Sequence, residues 1–151
     1  MSTHRRKQIR DAVVARLTGL STTGARVYGG RTLPLADNFS PTLFVYARAE
    51  RSQTEAMGGA GRPLARQVKL AIHGYVSLAA TDPEDTLDQI ALEVERAMMA
   101  DETFGGLVVA LYLSETDLSA ELDDQRRRLG EIRLTYDIEY SSAADDPARA
   151  G

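Results

Sequence analysis

Few residues in this chain could carry chemistry. It has no cysteine and only two histidines, His4 and His73, so disulfides, thiol catalysis and thiolate metal sites are excluded. A histidine pair with metal-ligand spacing, as in HExxH, is absent. His73 is therefore the one candidate general base. It stands mid-segment beside Gly74, on the polar parity, with no GxSxG nucleophile motif beside it. An enzyme built on it would need a carboxylate from the acidic middle of the chain. The cluster Gly58-Gly59-Ala60-Gly61 fails as a phosphate cradle, because Arg62-Pro63 stands where a P-loop needs Gly-Lys-Ser/Thr, and Leu64 occupies the third glycine position of a dinucleotide fingerprint. The acidic run from Glu115 to Asp124 lacks the central glycine and final glutamate of a calcium loop. No catalytic residue, cofactor or metal is expected.

Charge is more informative than reactivity. The formal net charge is −4, yet residues 1–31 hold seven Arg or Lys against Asp11 alone, and residues 82–124 hold thirteen Asp or Glu against Arg96 alone. An acidic total argues against a dedicated nucleic-acid binder. A chain basic at one end and acidic in the middle can instead pair with copies of itself, head to tail. The candidate interface residues are Arg5, Arg6, Arg10, Arg126, Arg127 and Arg128 on the basic side, with Glu115, Asp117, Asp123 and Asp124 on the acidic side.

The elements that must hold these charges follow from periodicity. Ile9, Val13, Leu17 and Leu20 recur at helical spacing and predict an amphipathic helix over about Thr3–Leu17, closed by Gly19 and a polar turn. Strands are expected at Ala25–Tyr28 and Thr42–Arg48, with an irregular connection between them and a mobile surface loop from Glu50 to Pro63. Val68, Leu70, Ile72, Val76 and Leu78 share one parity of a half-buried strand, and Gly74 on that parity signals a bulge or a close backbone contact. Asp82-Pro83-Glu84-Asp85 opens a second helix, with the Asp82 carboxylate as N-cap, that runs to about Ala100. Leu107–Leu113, apolar on both parities, reads as a central strand, and Ser114–Asp124 as a polar connection. Ile132, Leu134, Tyr136, Ile138 and Tyr140 alternate cleanly with polar residues in the last strand. The expectation is one α+β domain over residues 1–141, a mainly antiparallel sheet with two helices on one face, followed by a disordered tail at 142–151. No stretch approaches the roughly 20 apolar residues of a membrane span, and the basic N-terminus has no signal-peptide core, so no membrane partner and synthesis in the cytoplasm are expected.

Several ordered segments resemble the tail terminator, or minor tail protein U-like, family of long-tailed bacteriophages and gene transfer agents. They are Ile9-Arg10-Asp11-Ala12-Val13, Leu17-Thr18-Gly19-Leu20, Thr23-Gly24-Ala25-Arg26-Val27-Tyr28, Arg31, Leu33-Pro34-Leu35, and Pro41 before Leu43, Val45 and Tyr46. The run Leu87–Glu95 and Gly105-Gly106-Leu107 continue the likeness, which covers most of residues 5–140. It implies an α+β subunit of the virion, made in the bacterial host, that assembles as a ring, a homohexamer, on the head-proximal end of the tail tube. There it would stop polymerisation and offer the head-joining surface. Its partners would be itself, the tail tube protein and a head-closure or stopper protein, with DNA only as passing cargo. A head-closure protein, the tube subunit and a small His73 enzyme are the alternatives. DNA that must slide should not be gripped, so acids from 82–124 or 50–55 are expected at the lumen in preference to arginines.

Overall fold

The computed structural model describes residues 2–30, 39–54, 62–122 and 128–151. In chain order the elements are α1 (Arg5–Leu17), β1 (Val27–Gly29), β2 (Thr42–Thr54), β3 (Pro63–Ser77), α2 (Pro83–Met99), β4 (Ala110–Leu122) and β5 (Arg128–Ala143). The strands form one sheet in the order β1-β2-β3-β5-β4, antiparallel throughout except for the short parallel pairing of β1 with β2. Both helices lie on one face, α1 over β1 and β2 and α2 over β3 and β5. This is the α+β arrangement the periodicities predict.

The apolar parities meet between the layers. Ile9, Val13 and Leu17 of α1 and Leu87, Ile90, Val94 and Met98 of α2 are buried against Leu43, Val45, Leu70, Ile72, Leu134, Tyr136 and Ile138. Burying each such side chain is worth about 1.5–3 kcal/mol, which is why these two stripes fix where the helices sit. At Gly74 α2 packs tightly on the sheet. A Cβ there would meet the Cγ2 atoms of Ile90 and Ile132 at 3.0 Å, so the glycine marks close approach. Between the helices, the Arg16 guanidinium stacks on Phe104 at 3.4 Å and donates to the carbonyls of Met98 and Asp101 at 3.3 and 2.6 Å. A cation from α1 thereby satisfies carbonyls at the negative end of α2.

Several local expectations change. Asp82 precedes α2 in the left-handed region, at φ 51°, and its carboxylate makes no capping bond. His4, expected inside the first helix, instead caps it: its Nδ1 accepts from the Arg6 amide at 3.0 Å. Burial, then the positive charges of Arg6 and Arg66, hold this imidazole below its ordinary value of 6.5, which keeps it a neutral acceptor. The unfolded chain takes up the proton first as pH falls. The cap's contribution is therefore complete above about pH 6.5 and declines below it. Thermal melts of His4→Ser, which keeps an acceptor without the titration, should lose less stability than the wild type between pH 7.5 and 5; equal losses would dismiss the imidazole as the cause.

The larger corrections concern strand lengths. β2 continues to Thr54 and β3 begins at Pro63, so both flanks of the expected loop are strand, while its centre, 55–61, lies outside the described residues, as does the connection 31–38. Leu107–Leu113 is not central. β4 begins at Ala110, runs on to Leu122 through the supposed connection, and forms an edge of the sheet, leaving Val109 and Tyr112 exposed. The tail expected to be disordered is folded back. β5 reaches Ala143, the Ala144 amide donates to the Arg62 carbonyl at 2.8 Å, and the Arg5 amide donates to the Pro147 carbonyl at 2.8 Å. Backbone hydrogen bonding of this kind needs no apolar side chains, which is why composition concealed it.

Candidate assembly surfaces

The polar groups gather in three places. The first ties α1 to the sheet. Glu50 is on the helix face because a bulge between Ala47 and Ala49 reverses the parity of β2. Its Oε2 lies 2.6 Å from Arg6 Nη1 and 3.1 Å from Arg66 Nη1, and its Oε1 accepts from the Tyr140 hydroxyl. Arg66 Nε also donates to Ser142 Oγ at 2.7 Å. Burial, reinforced by the bond to Glu50, pushes the Tyr140 phenol well above its ordinary value and keeps it a donor.

The second lies under the face that carries no helix. His73, with no exposed surface, has Nδ1 3.0 Å from Glu131 Oε1 and Nε2 2.5 Å from the Tyr46 hydroxyl. Tyr75 Oη is 3.2 Å from Nδ1, and Arg133 Nη2 donates to Glu131 Oε1 at 3.4 Å. A hydroxyl, an imidazole and a carboxylate in sequence have the composition of a general-base relay. Here the imidazole and carboxylate are enclosed by the sheet's own side chains, including Phe44 and Tyr75, whose rings meet at 5.6 Å. A catalytic imidazole must reach its substrate, and His73 presents no surface to one. Among the described residues no cluster of His, Cys, Asp or Glu could hold a metal ion, and no helix is long and apolar enough to cross a membrane.

The third comprises the two edges. β4 has β5 on one side and no strand on the other among the described residues, and Glu115, Asp117 and Leu118 on it are exposed. At the other edge β1 covers only Leu43–Val45 of β2, so the half from Tyr46 to Thr54 has no strand beside it among the described residues, with Arg48 and Arg51 exposed. None of these four charged residues makes an ion pair among the described residues. Of the basic candidates, Arg6 is engaged by Glu50, Arg5 donates to the Leu107 carbonyl at 3.3 Å, and Arg10 is half-buried on α1. Asp123, Asp124, Arg126 and Arg127 lie outside the described residues, and Arg128 opens β5. The structure thus sets the acids Glu115 and Asp117 at one end of the strand order and α1 near the other. Arg51 was missed because the segment after Glu50 reads as loop. Its alternation with Ser52 and Gln53 has no apolar member to reveal a strand.

The arrangement is that of an α+β sheet protein with its reactive groups enclosed and, at its two edges, charge that is unpaired among the described residues. A family model described as phage minor tail protein U matches residues 4–140, and the chain belongs to that family. It is a structural protein of the phage tail, carried in the virion. No curated protein matches the chain. Among solved structures, it is similar to a sheath/tube terminator of an extracellular contractile injection system, with 9% identity, a TM-score of 0.45, and coverage of 97% of this chain and 59% of that one. It is also similar to a chain in the virion of a native gene transfer agent particle, with 13% identity, a TM-score of 0.37 and 90% of each chain covered. At such values neither likeness bears on function, and this chain spans little more than half the length of the terminator chain.

Proposed function

We propose that this tail protein is the terminator, a non-enzymatic subunit that closes into a ring, as a homohexamer, on the head-proximal end of the tail tube. There it stops tube polymerisation and presents the surface to which a head-closure protein binds. The observation that carries this reading is the family match over residues 4–140. Opposite charges set at opposite edges support it, since a head-to-tail contact whose rotation closes gives a ring. The enclosure of His73 supports a role without catalysis. DNA passes through as cargo. On the helix-free face exposed Glu115, Asp117 and Glu139 stand among exposed Arg48, Arg51 and Lys69, so the face is not a field of cations that would grip phosphate. Glu50 takes no part in this, being held by Arg6 and Arg66 on the opposite face.

Light scattering over a concentration series, with negative-stain images and a mixture with polymerising tube subunits, tests the proposal. Closed rings of about six subunits, or monomers that cap growing tubes and halt them, are expected. Unlimited tubes from the pure protein would make it the tube subunit. Tube growth unaffected by the protein would end the terminator reading.

A further inference from the structure

We infer that copies of this chain join edge to edge, β4 of one continuing the sheet of the next along the free half of β2, with Glu115 and Asp117 of the first ranged against Arg51 of the second. The inference rests on the ring proposed above and specifies its contact. Two strand edges that are unpaired among the described residues are otherwise a liability, each a row of backbone donors and acceptors open to any passing strand. Their directions suit each other. β2 is antiparallel to β3, β3 to β5 and β5 to β4, so β4 runs opposite to β2. A rotation about a ring axis preserves these directions and brings β4 of one copy antiparallel to β2 of its neighbour. Arg51 pairs with Gln67 and Glu115 with Thr135, both on the helix-free face, so the opposite charges emerge on the same side of the joined sheet.

Through successive pairs Arg51 is level with Gln67, Glu139 and Ala110, while Glu115 is level with Thr135, Ala71 and Tyr46, four residues lower along β3. Asp117 is level with Arg133, His73 and Phe44, six lower. Closing a sheet into a ring tilts its strands by about 35–45° and staggers each copy against the next. Four strands at about 4.8 Å spacing span about 19 Å, so the stagger is about 13–19 Å, or four to six residues at about 3.3 Å each. A slip of four residues brings Glu115 to Arg51, and a slip of six brings Asp117 there. The opposite slip would carry β4 onto the part of β2 that β1 already occupies.

The test is charge exchange on the full chain, read as ring formation or tube capping. Arg51→Glu alone, and Glu115→Arg with Asp117→Arg, should each weaken assembly by about tenfold or more, and the triple variant should restore it to within about threefold. All the altered side chains are exposed, and circular dichroism and melting confirm the fold. Arg51→Cys combined with Glu115→Cys or Asp117→Cys should give oxidised ladders ending at the ring's subunit number. Rings that form and cap normally in every variant, with no ladder, would overturn the contact while leaving the terminator reading intact. A wild type that neither forms rings nor caps tubes would overturn both.

Discussion

Replacing Glu50 by alanine is expected to lower the free energy of unfolding by about 3 kcal/mol, and the melting temperature by roughly 9 °C in a chain of this size. The residue is the sole carboxylate between two guanidiniums. Its side chain is 11% exposed and that of Arg66 13%, so its loss leaves Arg66 nearly buried beside a second cation and takes the acceptor from Tyr140. Removing one member of a buried pair costs far more than the pair contributes, because the survivor keeps its desolvation penalty. Arg6 is 39% exposed and better solvated, so Arg6→Ala should cost about 1 kcal/mol or less. The loss should be felt unevenly. Hydrogen exchange in Glu50→Ala should quicken at Ile9 and Val13 of α1 before Ile90 and Val94 of α2. A stability within about 1 kcal/mol of the wild type would show that apolar packing alone holds α1.

Glu131→Ala should be comparably costly, about 3 kcal/mol, because the buried carboxylate meets both His73 and Arg133. Glu131→Gln keeps an acceptor and should cost about 1 kcal/mol. This series also separates structure from chemistry. If denaturant unfolding barely changes in Glu131→Ala while tail assembly fails, the cluster has a task beyond holding the sheet together. Parallel losses of both are the expected result.

Much of this architecture is legible in the sequence, and the exceptions share a cause. The stripes Ile9-Val13-Leu17 and Leu87-Ile90-Val94-Met98 and the alternation from Ile132 to Tyr140 each report burial through spacing along a single element. Gly74 belongs with them in part, since a glycine on an apolar parity signals a bulge or a close approach, and the structure shows the second. What escaped depends on partners distant in sequence. The acids of β4 look like a loop, although Glu115, Asp117 and Ser119 alternate with Thr116, Leu118 and Ala120; the alternation is real, but no helix covers this edge to demand apolar residues. Glu50 meets Arg6 and Arg66 only once the bulge has turned it to the helix face. The folded-back tail is held by main-chain bonds, which leave no mark on residue types. At the candidate interface, Glu115 and Asp117 emerged on an open edge, whereas Arg5 and Arg6 are engaged within the subunit.

The sheet order also sets a timetable. β3 lies between β2 and β5, and its pairs with β5 run from Pro63 with Ala143 to Ser77 with Leu129. During synthesis at about 5–20 residues per second, β3 waits roughly 3–13 seconds after it is made before its second neighbour is complete. Through that interval Val68, Leu70 and Ile72 have β2 on one flank and nothing on the other, and loop closure over so long a span is slow. The nascent chain is thus most vulnerable to aggregation just before its last strand is translated. A truncation that removes β5 should abolish the fold outright, because it deletes an interior strand and leaves β4 without the partner that joins it to the sheet.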